Sequence, residues 1–91
     1  MTNILERLHR ICVWNKGHKV PGLDPMVWRN DDFGNRIRFA DYGDRTCRFG
    51  WEKDHITPKA VGGTDELNNL RPLHFRKNAS MGGILSQLLD R

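Results

Sequence analysis

The stretch Trp51-Glu52-Lys53-Asp54-His55-Ile56-Thr57-Pro58 decides how this chain folds, together with Gly62-Gly63, Asn69-Leu70-Arg71-Pro72-Leu73-His74 and Asn78 behind it. Residues 51–56 carry the side chains of a strand, and Pro58 ends its ladder because proline has no N–H to donate. A polar loop over 59–68 surrounds the two glycines, Leu70 to His74 makes a second strand, and Phe75 to about Ser80 a helix. Gly82-Gly83 weakens any continuation by about 1 kcal/mol per glycine relative to alanine. A separate short helix is therefore expected over 83–91, built on Ile84, Leu85, Leu88 and Leu89.

Upstream, residues 3–16 read as an amphipathic helix, with Ile4, Leu5, Leu8, Ile11 and Cys12 along one face of a 3.6-residue period. Asn3 is its N-cap with Glu6 three positions on, and Gly17 its stop. Two prolines and two glycines in 17–25 mark a loop. Two short strands are expected between Met26 and Phe39, joined around Asn30 to Asn35, because Arg36-Ile37-Arg38-Phe39 alternates polar and apolar. Asp41-Tyr42-Gly43-Asp44 reads as a turn. The fold class is α+β, a small single domain: 1–50 supply a helix and hairpin as support, 51–82 two strands and a helix, and 83–91 a short terminal helix.

Ninety-one residues allow one domain with a modest core, to which three Trp and four Phe contribute most efficiently. Fifteen Lys and Arg against eleven Asp and Glu give a net charge of +4, which suits a polyanionic partner. The basic side chains are spread, nine in 1–50 and six in 51–91, so contact with a nucleic acid would come from a folded surface and not from a tail. No segment is apolar and long enough to cross a membrane, and the first residues lack the apolar run of a signal peptide, so a cytoplasmic protein is expected. Two cysteines without a CxxC pair argue against a disulfide framework. His9, Cys12, His18 and Cys47 follow no zinc-ligand spacing, and no structural zinc is expected.

The chemistry lies in Asp54, His55, Asn69 and Asn78. An imidazole titrates near neutral pH and can take a proton from water. Asp carboxylate and Asn carbonyl oxygens are hard donors suited to Mg²⁺ or Mn²⁺. Asp54 and His55 are consecutive, so regular pleating points them to opposite faces; a bend at that place would let both serve one site.

These residues, with Gly62-Gly63-Thr64, Asn69-Leu70-Arg71-Pro72-Leu73 and Lys77-Asn78, resemble the HNH endonuclease motif in its variant with Asn in the third position. The likeness is to the HNH domains of RNA-guided nucleases and to small stand-alone bacterial and phage nicking enzymes. Trp14-Asn15-Lys16-Gly17, Trp28-Arg29-Asn30-Asp31, Asp41-Tyr42-Gly43 and Gly50-Trp51 also resemble the stand-alone members, so the likeness covers roughly residues 14–82. It implies a ββα-metal finger around one divalent ion, Mg²⁺ or Mn²⁺. It further implies a metal-dependent hydrolase that nicks or cleaves double-stranded DNA, with a homodimer left open as the assembly.

Carried onto this sequence, the resemblance makes His55 the general base and Asp54 and Asn78 the metal ligands. Asn69 would hold the loop and orient the His55 ring through a hydrogen bond. His74 is either near the site or a strand-end packing residue, and Arg45, Arg48, Arg71, Arg76 and Lys77 are candidate phosphate contacts. Where many relatives carry basic residues after the third motif position, this chain reads Asn78-Ala79-Ser80-Met81-Gly82. That departure supports an alternative, a DNA-binding module that retains the fold with weak or no turnover.

Overall fold

The computed structural model describes residues 3–89, with side chains over 3–82. It opens with a helix, α1 (Ile4–Trp14), whose N-cap Asn3 accepts a hydrogen bond from the Glu6 amide at 2.8 Å, as the capping pattern predicts. Two short antiparallel strands follow, β1 (Trp28–Asn30) and β2 (Arg36–Arg38), with Arg29 opposite Ile37. A second antiparallel pair, β3 (Trp51–His55) and β4 (Leu70–His74), sets Trp51 opposite His74 and His55 opposite Leu70. The last element is α2 (Phe75–Leu89), which begins at the residue after β4.

The core is where α1, the first hairpin and β3–β4 meet: Val13, Trp14, Ile37, Trp51 and Leu70, with Phe39 and Tyr42 packed on it. Trp51 is 0% exposed, and its ring lies 5.1 Å from Trp14 and 4.8 Å from Tyr42, centroid to centroid. Its indole N–H donates to Phe39 O at 3.1 Å, so the buried donor is satisfied. Arg29, buried under the loop after α1, donates to the carbonyls of Pro25, Asn15 and Gly17 and so ties that irregular segment to β1.

Two expectations are corrected. The stripe Ile4, Leu5, Leu8, Ile11 and Cys12 does not face the core; Leu5, for example, is 74% exposed. The helix instead presents Glu6, His9, Arg10 and Val13, spaced three and four apart on another face. Lys53 of β3 donates to Glu6 Oε1 at 3.0 Å and contacts His9 Nδ1 at 2.7 Å, and the Arg10 guanidinium lies over the Tyr42 ring. Trp14, anchored by its N–H to Pro25 O, fixes the helix in that orientation. Periodicity identifies an apolar face; it does not say which face the rest of the fold takes.

The second correction concerns Gly82-Gly83. The helix expected to stop there and restart over 83–91 runs unbroken from Phe75 to Leu89, because about 2 kcal/mol for two glycines is outweighed by hydrogen bonds continuing on both sides. The side chains of Ile84, Leu85, Leu88 and Leu89, proposed to dock, and residues 90 and 91 lie outside what is described. Among the described residues, no helix is long and apolar enough to cross a membrane.

Candidate metal and nuclease site

The β3–β4 ladder runs regularly through His55, so the bend that would have turned Asp54 and His55 the same way is absent. Glu52 and Asp54 share one face of β3, and Lys53 and His55 the other. The partners agree with that alternation: Glu52 meets Asn78 of α2, whereas Lys53 meets Glu6 of α1. β3 is paired along one side by β4, and among the described residues its other edge is bridged only at Trp51, by Tyr42.

On the α2 side, Asp54 Oδ2 accepts from Arg71 Nε at 2.9 Å, a cross-strand pair set by the register, and the Asp54 side chain is 13% exposed. Asn78 Nδ2 donates to Glu52 Oε1 at 2.8 Å. Glu52 is in turn gripped by Arg45, whose Nε and one terminal nitrogen donate at 2.7 and 2.8 Å. These bonds from Arg45 hold the Glu52 carboxyl below the usual range; Asn78 adds to that, and burial opposes it. Asp54 Oδ1 and Asn78 Oδ1 make no hydrogen bond among the described residues, so each side chain keeps one hard oxygen available. Among the described residues, no three His, Cys, Asp or Glu side chains form a metal-holding cluster. Those two oxygens are the groups on this face that could hold a divalent ion, with water completing its shell.

His55 projects to the other side, where its Nε2 lies 2.7 Å from Asp65 Oδ1. A carboxylate only accepts, so Nε2 carries the proton and Nδ1 is left to take one. Asp65 also accepts from Lys59 Nζ at 3.0 Å, and its carboxyl is held low by the His55 bond first and the Lys59 bond second. Asp65 escaped the sequence reading, since an acid in a polar loop ten positions from the histidine carries no periodic signal.

Asn69 does not touch His55 among the described contacts. Its side chain closes the 57–64 loop, with Oδ1 accepting from Thr57 N at 2.8 Å and Nδ2 donating to Thr57 O at 3.0 Å and Thr64 O at 2.7 Å. Gly62-Gly63 makes that closure feasible. Gly62 is left-handed at φ 98°, and a Cβ on Gly63 would sit 1.7 Å from Thr57 O. The loop that Asn69 locks is the one that delivers Asp65 to His55.

His74 is buried at the β4–α2 junction. Its Nδ1 accepts from Arg76 N at 3.1 Å, so Nε2 bears the proton and donates to Arg48 O at 2.7 Å. The ring stacks on Phe75 with centroids 4.7 Å apart, a packing role. Of the candidate phosphate contacts, Arg45 and Arg71 are committed to Glu52 and Asp54, and Arg48, Arg76 and Lys77 form no ion pair among the described residues.

No curated protein and no solved structure matches the chain. The family model of the HNH endonuclease matches residues 43–78, narrower than the 14–82 over which the sequence resembles that family, and it takes in both strands of the β3–β4 hairpin, the loop between them and the start of α2 through Asn78. Through that segment, residues 43–78, the chain is similar to the HNH endonuclease family.

Proposed function

We propose that this protein is a metal-dependent endonuclease that nicks double-stranded DNA inside the cell, with His55 as general base and Asp54 and Asn78 as metal ligands. The observation that carries this reading is the pair of unengaged oxygens, Asp54 Oδ1 and Asn78 Oδ1, left on one face of β3 and α2 while Arg71 and Glu52 occupy the other halves of the same groups. Beside them, at the open edge of β3, stands an imidazole whose protonated nitrogen is already spoken for by Asp65.

A phosphodiester lying against that edge meets Asp54 from one face and His55 from the other. His55 Nδ1 takes a proton from water as the water oxygen bonds to phosphorus, and the bond from phosphorus to the 3′ oxygen breaks. The products are a 5′-phosphate and, after the leaving oxygen is protonated, a 3′-hydroxyl. A divalent ion supplies positive charge where the phosphate gains negative charge. Asp65 fixes the tautomer and heading of His55, and Asn69 acts on the base only by holding the loop that carries Asp65. One such site cuts one strand at a time, so a double-strand break needs two events or two copies.

The test is conversion of supercoiled plasmid to open circle across Mg²⁺, Mn²⁺ and other divalent ions. His55→Ala is expected to lower the rate about 100-fold or more with Mn²⁺ binding by calorimetry unchanged, and Asp54→Ala to weaken that binding. Full nicking by His55→Ala would remove the base assignment. A binding module without turnover would instead show DNA retention and no open circle with any ion.

A further inference from the structure

We infer that a basic cleft between the β1–β2 hairpin, the segment before β3 and the first turns of α2 is a binding track for the phosphate backbone of DNA leading to the nuclease site. The cleft encloses about 430 Å³ and is lined by Asn35, Arg36, Arg48, Phe49, Arg76 and Lys77, together with His74 and Ser80, so that four cations face it and no carboxylate does. None of the four forms an ion pair among the described residues, whereas Arg10, Arg38, Arg45, Lys53, Lys59 and Arg71 all do. Such segregation leaves uncompensated positive charge in a concave place, where a polyanion gains most from it.

Three of the cations are held by aromatic faces and not by acids. Arg48 lies 5.3 Å from the Phe49 centroid, Arg76 5.6 Å from Phe75 and Lys77 4.5 Å from Phe33. A ring steadies a cation without neutralising it, so the charge stays available to a ligand. The walls are also fixed before any ligand arrives. His74 joins the α2 wall to the Arg48 wall by accepting from Arg76 N and donating to Arg48 O. Asp31, 2% exposed, joins the hairpin wall to β4 by accepting from Asn35 N, Asn35 Nδ2 and His74 N. Binding then costs little ordering of the protein.

The cleft adjoins the nuclease face through Phe33, whose ring has Lys77 near it and also Arg71, 5.1 Å away, the residue paired to Asp54. Lys77 precedes Asn78 on α2, so phosphates seated along the cleft end beside the two unengaged oxygens. This placement also answers the missing basic residues at Ala79 and Met81: the grip lies one turn earlier on the helix and on the loops facing it. The identity of the ligand as DNA rests on the nuclease reading; the existence of the track rests on the cleft.

The experiment is fluorescence anisotropy of a labelled DNA duplex with the full chain in EDTA, so that no cleavage occurs, across a salt series. Arg48→Gln/Arg76→Gln is expected to weaken binding about 10-fold or more and to reduce the slope of log K against log salt by about 1–2. Arg7→Ala/Lys19→Ala, cations of other surfaces, serves as the control and is expected to change neither. The unaltered protein gives a second readout, in which the Phe49 and His74 resonances shift when duplex is added. Equal slopes for the cleft variant and wild type, or Phe49 and His74 resonances that stay put, would overturn the proposal, as would tighter binding of RNA or of an acidic peptide than of DNA. His55→Ala separates the two readings. Loss of nicking with unchanged anisotropy leaves both standing, whereas normal cleft binding by a wild-type protein that never nicks removes the nuclease reading alone.

Discussion

Removing Asp31 should destabilise the protein more than any other single polar change, although it lies outside the residues proposed for chemistry. Its carboxylate is buried and accepts four hydrogen bonds: from Phe33 N at 3.0 Å, Asn35 N at 2.8 Å, Asn35 Nδ2 at 3.1 Å and His74 N at 3.0 Å. The bond to His74 N is buried, and an orphaned buried donor costs about 1–3 kcal/mol. The two turn amides are partly reached by water, so each contributes about 0.5–1.5 kcal/mol. Asp31→Ala should therefore lose about 2–6 kcal/mol, a large share of the roughly 5–14 kcal/mol typical of a chain this size. Asp31→Asn keeps one acceptor for the turn but sets an NH₂ against His74 N, and should lose about 1–3 kcal/mol. Urea unfolding at low temperature measures both. If Asp31→Ala unfolds within about 0.5 kcal/mol of wild type, the buried hub is not what joins the first hairpin to β4, and the argument for a rigid cleft wall fails with it.

Other outcomes follow from the site itself. Asn69→Ala removes three bonds that close the 57–64 loop. Hydrogen exchange at the Thr57 amide should speed up sharply, and nicking should fall because Asp65 is no longer delivered to His55. Unaltered exchange at Thr57 would contradict the locking role. Glu52 has its carboxyl lowered below 4.5 by Arg45 and Asn78. A depressed folded value means its stabilisation is present above about pH 4.5 and is lost as pH falls through the folded value. Wild type should thus exceed Glu52→Gln in urea stability near neutral pH, with the gap closing as the pH falls through the lowered folded value; a gap independent of pH would refute the ion-pair account.

Much of the architecture was legible in local order. Asn3 with Glu6 marked the start of α1, alternation in Arg36-Ile37-Arg38 marked β2, and the run from Trp51 with Leu70 to His74 marked the hairpin on which the site is built. These are short-range signals, created by backbone hydrogen bonding and the period of side-chain direction, and a sequence displays them directly. The continuity of α2 through Gly82-Gly83 was not legible, because a propensity cost only competes with the hydrogen bonds around it and does not settle the outcome. The inward face of α1 was misread for a related reason. Trp14 and Lys53 select it through contacts with Pro25 and Glu6, residues 11 and 47 positions away along the chain.

For the functional residues the division is similar. The sequence by itself carried the resemblance to the HNH endonuclease motif and singled out Asp54, His55, Asn69 and Asn78, because a chemical motif needs particular groups at particular spacings. Only the tertiary structure decided what each of them touches. It sent Asp54 to Arg71 and Asn78 to Glu52, turned Asn69 from the imidazole to the Thr57 loop, and gave His55 the carboxylate of Asp65. It also gathered Arg36, Arg48, Arg76 and Lys77, which lie up to 41 positions apart in the chain, around one cleft. Hydrogen bonds and charge depend on distance in space, and a linear order of residues carries that distance only where the backbone is regular.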